Sequence, residues 1–243
     1  MKTIKTFEIE IPVDGIVLSA FLHLPATPRK PPLVIGCHGL FADAESPKQK
    51  VLAGALASKG MAFLRLDHRG CGKSGGDFKR DTTFPARLGD LKAARAAMKA
   101  RGDLGGVVGL FGSSMGGAVC LASAFNDPVA ALCVYAAPAH FAPLVEILRA
   151  SGDDKRLSPR FFAPENAFDL PPGPLETGPI LVFHGDRDQV VPVAHGREIY
   201  ERAAGPKSIE IFEGGDHPMN DPGHQALFLE RATAFFNRYL NGL

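Results

Sequence analysis

Phe7, Ile9 and Ile11 are separated by polar neighbours, and Ile16, Leu18, Ala20, Leu22 and Leu24 recur at every second position after Asp14-Gly15. Successive side chains of a strand point to opposite faces, and Asp-Gly suits a two-residue turn, so the chain is predicted to open with an antiparallel β-hairpin. Farther on, the apolar residues stop alternating and come in short runs at 33–37, 61–66, 107–111, 129–136, 180–183 and 209–212. Such runs are expected of strands covered on both faces. Helical spacing lies between them, best seen in Leu88, Leu91, Ala94 and Met98 and in Phe228, Ala232, Phe235 and Tyr239. Strand alternating with helix predicts an α/β fold, with a mainly parallel sheet and helices on both faces.

The 138–179 stretch breaks this rhythm. Prolines 138, 143, 159, 164, 171, 172, 174 and 179 are spread through it, and it also carries Leu144, Val145, Ile147, Leu148, Phe161, Phe162 and Phe168. A loop of that length within a compact domain is usually functional, so it is read as a short lid insertion. The competing reading is an irregular crossover anchored by its apolar residues. With 243 residues and 45% hydrophobic content the chain can bury a sizeable core, and one domain spanning 1–243 is expected.

Charge narrows the partners. The 27 basic and 26 acidic residues are interspersed and leave a formal charge of +1, which gives no strong attraction to nucleic acid or to an anionic membrane. The expected partner is a small molecule. Residues 1–10 lack the continuous apolar stretch of a secretory signal, and no apolar segment reaches membrane-spanning length. Cys37, Cys71, Cys120 and Cys133 show no paired spacing, and three of them fall in predicted core elements, so a reducing cytoplasm is expected.

Candidate chemistry begins where the 107–111 run passes into a helix-compatible segment, at Gly112-Ser113-Ser114-Met115-Gly116. A serine hydroxyl is a weak nucleophile until a base removes its proton, and a strained strand-to-helix turn presents Oγ clear of its own backbone. Ser114 has that context on both sides. The 67–76 segment satisfies competing patterns. Gly70 to Gly75 matches a dinucleotide fingerprint, Gly72-Lys73-Ser74 resembles the end of a phosphate-binding loop, and Ser74 sits in a second Gly-x-Ser-x-Gly. Each needs a helix to follow at once, or a leading glycine where Asp67 stands, and 77–85 does not read as helix. No cofactor is expected. The histidines show no metal-ligand spacing, so no metal is expected either.

A serine nucleophile needs an imidazole and a carboxylate to orient it. Past the 180–183 run comes His184-Gly-Asp-Arg-Asp188, and past 209–212 comes Glu213-Gly-Gly-Asp-His217. The order Ser114, Asp188, His217 is that of a nucleophile-elbow enzyme, each group lying beyond the C-terminal end of a strand. Asp186 and Asp216 compete with Asp188 for the acid. His38 and His184 precede glycines at strand ends, where an imidazole more often braces a turn.

Along nearly its whole length the chain resembles the α/β-hydrolase superfamily. The resemblance rests on His38-Gly39-Leu40-Phe41, on Asp67-x-Arg69-Gly70-x-Gly72-x-Ser74, on the Ser114 elbow, and on the late acid and histidine. It is nearest to small bacterial carboxylesterases with a short lid, including cinnamoyl and feruloyl esterase-like proteins, and to the serine aminopeptidase-type branch. The resemblance implies that His217 is the general base, that Asp188 orients it through the His-Gly-x-x-Asp pattern, and that backbone N–H groups of Leu40 and Met115 form the oxyanion hole. It treats Asp67, Arg69, Gly70 and Ser74 as scaffold. Arg69 and Lys73 are read either as contacts to an anionic substrate or as charges answered by Asp67, Asp77 and Asp81. The implied activity is hydrolysis of a small or medium carboxylic ester through an acyl-serine. Thioester or peptide cleavage by the same residues, and a noncatalytic ligand-binding homologue, are the alternatives.

Overall fold

The computed structural model describes residues 4–27 and 30–242; positions 1–3 of the N-terminal reading above lie outside the described residues. Strands β1 (Lys5–Val13) and β2 (Ile16–Leu24) form the expected hairpin, with Val13 opposite Ile16 and Asp14 and Gly15 both at positive φ. Positive φ at both central residues is the backbone of a type I′ turn, whose twist matches that of paired strands. Strands β3 (Leu33–Cys37), β4 (Ala62–Leu66), β5 (Val108–Ser113), β6 (Ala131–Tyr135), β7 (Ile180–Gly185) and β8 (Lys207–Phe212) complete an eight-stranded sheet in the order β1-β2-β4-β3-β5-β6-β7-β8. Every pairing from β4 to β8 is parallel, and β2 meets β4 antiparallel.

Residues within the apolar runs divide between the two faces. Ile35, Leu110, Leu132, Val134, Ile180 and Val182 face one cluster, while Val34, Phe111, Ala131, Cys133, Leu181 and Phe183 face the other. Helices α1 (Pro47–Ser58) and α7 (Pro222–Leu240) cover the second face. The first is covered by α3 (Phe84–Lys99), α4 (Met115–Asn126), α5 (Phe141–Ser151) and α6 (Val193–Arg202).

Four local expectations are corrected. Edge strand β8 has no neighbour on its outer side, and within the 209–212 run Ile209, Glu210 and Ile211 are only partly covered while Phe212 is buried. In α7 the buried stripe runs Phe228, Ala232, Phe236 and Leu240, so Phe235 and Tyr239 pack only partly. Adjacent apolar pairs let either register satisfy the helical period, and contact with the sheet selects one. In α3 Leu91, Ala94 and Met98 are buried as the spacing predicts, but Leu88 is only partly covered and Arg87 and Asp90 are buried beside them. Finally, 77–85 contains the helical turn α2 (Phe78–Asp81), with the Asp77 side chain accepting from Arg80 N–H, and the first residues of α3.

The 138–179 stretch contributes no strand to the sheet. It holds α5 and three 3₁₀ turns at Asp153–Arg156, Pro159–Phe162 and Pro164–Asn166, with Leu144, Leu148, Phe161 and Phe168 buried. Phe168 stacks on Phe84 at 4.3 Å between ring centroids. A cavity of about 250 Å³ remains between this stretch and α4, lined by Phe84, Ala118, Leu121, Phe168, Leu170 and Leu175 among others. All four cysteines are buried free thiols. Among the described residues no helix is long and apolar enough to cross a membrane.

Candidate active site

The strand order reverses at β3 and β5, whose ends lie side by side with Cys37 opposite Gly112. Open parallel sheets place sites in the crevice beyond such a switch point. Here that register brings the 38–41 loop against the turn leading into α4. A Cβ added to Gly39 would lie 3.5 Å from Ser114 Cβ.

Ser114 adopts φ 53° and ψ −126°, outside the helical and extended basins. The strain is held by its surroundings: its N–H donates to the Tyr135 carbonyl at 2.8 Å, and its own carbonyl accepts from Gly117 N–H at 2.8 Å. The flanking glycines are needed for close approach. A Cβ on Gly112 would strike the Gly116 carbonyl, and one on Gly116 would strike the carbonyls of Cys37 and His38.

His217 Nε2 lies 3.1 Å from Ser114 Oγ, and its Nδ1 lies 2.7 Å from Asp188 Oδ2. Because the carboxylate only accepts, Nδ1 carries the proton and Nε2 is left to accept from the hydroxyl. The Asp188 side chain is fully buried; its second oxygen accepts from Val190 and Val191 N–H groups, both at 2.8 Å. Burial fixes its position, and two backbone donors stabilise its charge. His217 keeps 19% of its side-chain surface exposed, so a small molecule can reach it.

The competing carboxylates are occupied elsewhere. Asp186 accepts from Gly214 N–H at 2.7 Å and stitches the loop after β7 to the loop after β8. Asp216 accepts from Asn220 backbone and side-chain N–H groups, which hold its carboxyl below the usual range. The other histidines brace turns. His184 donates from Nε2 to the Val191 carbonyl at 2.7 Å, supporting the Asp188 turn from below, and burial keeps it below its ordinary pKa. His38 donates from Nδ1 to the Gly39 carbonyl and accepts from His68 N–H at Nε2; burial holds it neutral.

Three supports carried no motif. Tyr135 donates its hydroxyl to the Asp216 carbonyl at 2.8 Å, and Lys48 donates to the Pro218 carbonyl at 2.6 Å, so the residues on either side of His217 are each tied down. The Lys48 ammonium also lies 5.0 Å from the Tyr135 ring centroid. Arg87, fully buried, donates to the carbonyls of Gly39 and Leu40. The backbone N–H groups of Leu40 and Met115 have no hydrogen-bond partner among the described residues.

The 67–76 loop folds back on β2. Ser74 Oγ donates to the Asp67 carbonyl at 2.7 Å and accepts from Ser19 N–H, which ties it to the scaffold. No helix begins within 70–75. Arg69 pairs with Asp90 and Asp14 and Lys73 with Glu8, so the charges are answered, though not by Asp67, Asp77 and Asp81 as expected. Asp67 instead accepts from Ala44 and Lys73 backbone N–H groups.

Residues 28–152, just over half of the chain, match the family model described as serine aminopeptidase, S33. An uncharacterized protein of Mycobacterium tuberculosis is 28% identical over 222 residues, covering 86% of this chain and 70% of its own length. The ferulic acid complex of Est1E from Butyrivibrio proteoclasticus superposes with a TM-score of 0.76 at 25% identity, over 96% of this chain and 99% of that one. An esterase from Pyrococcus furiosus gives 0.79 at 18% identity, covering 98% and 92%, a likeness of fold. The sheet order, the elbow and the family match lead to one conclusion: the chain is an α/β-hydrolase and belongs to the S33 serine aminopeptidase family.

Proposed function

We propose that the protein is a cofactor-free serine hydrolase that cleaves a small or medium carboxylic ester through an acyl-Ser114 intermediate. The supporting observation is the unbroken relay from Ser114 Oγ through His217 to Asp188, with spacings of 3.1 and 2.7 Å. In this reading His217 Nε2 takes the hydroxyl proton as Oγ bonds to the ester carbon. The Leu40 and Met115 N–H groups then hold the alkoxide, a contribution typically worth about a hundredfold or more in rate per donor. Collapse expels the alcohol, which receives the proton from His217. Water repeats the sequence on the acyl-enzyme, releasing the acid and restoring Ser114. Asp188 stabilises the imidazolium formed in both halves.

The apolar cavity beneath 138–179 suits the hydrocarbon part of a substrate, and Ala118, on its wall, is one helical turn from Ser114. This supports reading 138–179 as a lid within one catalytic unit spanning 1–243. The bound ferulic acid of the Butyrivibrio relative favours aromatic acyl groups. Peptide or aminoacyl amide cleavage is the second reading, favoured by the family description. The unpaired thiols support a reducing compartment such as the cytoplasm.

A fluorophosphonate probe should label the wild type at position 114, and Ser114→Ala should lose both labelling and p-nitrophenyl ester turnover. Turnover persisting in Ser114→Ala removes the assignment. A panel of hydroxycinnamate esters, short alkyl esters, acyl thioesters and aminoacyl amides separates the substrate classes by relative kcat/KM.

A further inference from the structure

Arg87 is the largest fully buried side chain of the described residues, yet it forms no ion pair with a carboxylate among them. The nearest acidic group on its own helix, Asp90, is taken by Arg69 and His68. Its guanidinium instead donates from Nη1 to the Gly39 carbonyl at 3.1 Å and from Nη2 to the Leu40 carbonyl at 2.8 Å, with Cys71 Sγ at 3.4 Å from Nη2. Nε is buried without a partner. A buried cation with no carboxylate in direct contact is costly, and an apolar side chain of similar volume is often no less stable in such a place. Stability alone therefore does not explain it.

The peptide geometry supplies a reason. In a planar trans peptide the C=O and N–H point in opposite directions. The Gly39 carbonyl shares its peptide with the Leu40 N–H, so whatever pulls that oxygen inward turns the N–H outward. Two donors pull on it, Arg87 Nη1 and His38 Nδ1, the latter at 2.8 Å. Polarising a carbonyl also strengthens its own N–H as a donor. Gly39 itself lies against Ser114.

We infer that Arg87 is a positioning residue for acyl transfer: anchored on the Gly39 and Leu40 carbonyls, it aims the Leu40 N–H at the alkoxide formed on the Ser114 adduct and places a buried positive charge behind it. This rests on the hydrolase reading above. The charge is fixed because arginine stays protonated even when buried, and a preorganised charge in a water-poor site acts on the transition state without reorganising.

The test compares wild type, Arg87→Lys and Arg87→Met on one activated ester and one trifluoromethyl ketone. The ketone accepts Ser114 Oγ at its carbonyl carbon; the carbonyl electron pair moves to oxygen as alkoxide, and the hydroxyl proton stays on His217. Its affinity therefore reports alkoxide stabilisation. Arg87→Met is expected to lower kcat by about tenfold to a hundredfold, somewhat less than loss of a whole donor, with KM within about twofold. Ketone affinity should fall by the same factor as kcat/KM. Arg87→Lys, which keeps the charge but not the two-pronged contact, should fall between the two, and it carries the test alone if Arg87→Met does not fold. A purely structural arginine would lower the melting temperature while leaving kcat and ketone affinity of the folded variants at wild-type values, and that result overturns the inference. If wild type neither turns over the ester nor binds the ketone and the fluorophosphonate, the hydrolase reading itself fails.

Discussion

Asp188→Asn separates the relay from its scaffold. One Asp188 oxygen accepts from Val190 and Val191 N–H groups, and the other accepts from His217 Nδ1. An asparagine has a single acceptor oxygen. If that oxygen stays on the two backbone groups, the amide NH₂ faces Nδ1, which must give up its proton and become an acceptor. The ring then carries its proton on Nε2 and cannot accept from Ser114. The same tautomer reversal in serine proteases costs about 10⁴-fold in kcat, or roughly 5 kcal/mol of barrier. If the amide flips to preserve the His217 contact, two buried N–H donors lose their partner, at about 1–3 kcal/mol each. The variant must therefore lose either activity or stability. Wild type, Asp188→Asn and Asp186→Asn should be compared by p-nitrophenyl ester kcat and thermal unfolding, with Asp186→Asn retaining activity within about tenfold because it touches only Gly214 N–H. An Asp188→Asn enzyme with near wild-type kcat and an unchanged melting temperature would refute the assignment of the acid.

Two further outcomes follow from the geometry. Gly116→Ala drives a Cβ into the Cys37 and His38 carbonyls; overpacking of this kind costs about 1–3 kcal/mol, and a displaced elbow about a hundredfold in kcat/KM. Gly54→Ala in α1, where nothing lies within 4 Å, is the neutral control, and similar kinetics in both would contradict the close-approach argument. His140 places Nδ1 2.9 Å from Asp169 and Nε2 2.9 Å from Glu198, and both nitrogens can donate only in the imidazolium. Burial opposes the charge, but those two hydrogen bonds outweigh it and raise the pKa, with Arg202 paired to Glu198 and the His195 ring 6.0 Å away. A raised native pKa gives stability that is complete below the unfolded value near 6.5 and is lost as pH rises through the native one. Thermal melts between about pH 5 and pH 9 should show wild type converging on His140→Gln at the alkaline end; a gap independent of pH contradicts the pairing.

The strands were legible because their signal is local: a run such as 180–183 has apolar partners on both faces wherever it sits in the sheet, and β7 falls where the run does. The elbow was legible for a related reason, since a Ser114 backbone at positive φ between close-packed peptides excludes Cβ atoms at Gly112 and Gly116 and leaves its mark in the chain. Asp188 was singled out from Asp186 and Asp216 only by the His-Gly-x-x-Asp pattern of the family resemblance, because all three sit in similar turns and differ in which way the turn points. Arg87, Lys48 and Tyr135 belong to no motif in the sequence; their roles arise from loops that approach them from far along the chain. The periodicity and composition of this chain thus determined which segments became strands and helices and where the Ser114 elbow stands. Folding decided which carboxylate meets His217 and which buried groups hold the surrounding peptides, since a hydrogen bond depends on separations of about 3 Å between residues that lie from 29 to 170 positions apart, and sequence spacing does not encode those separations.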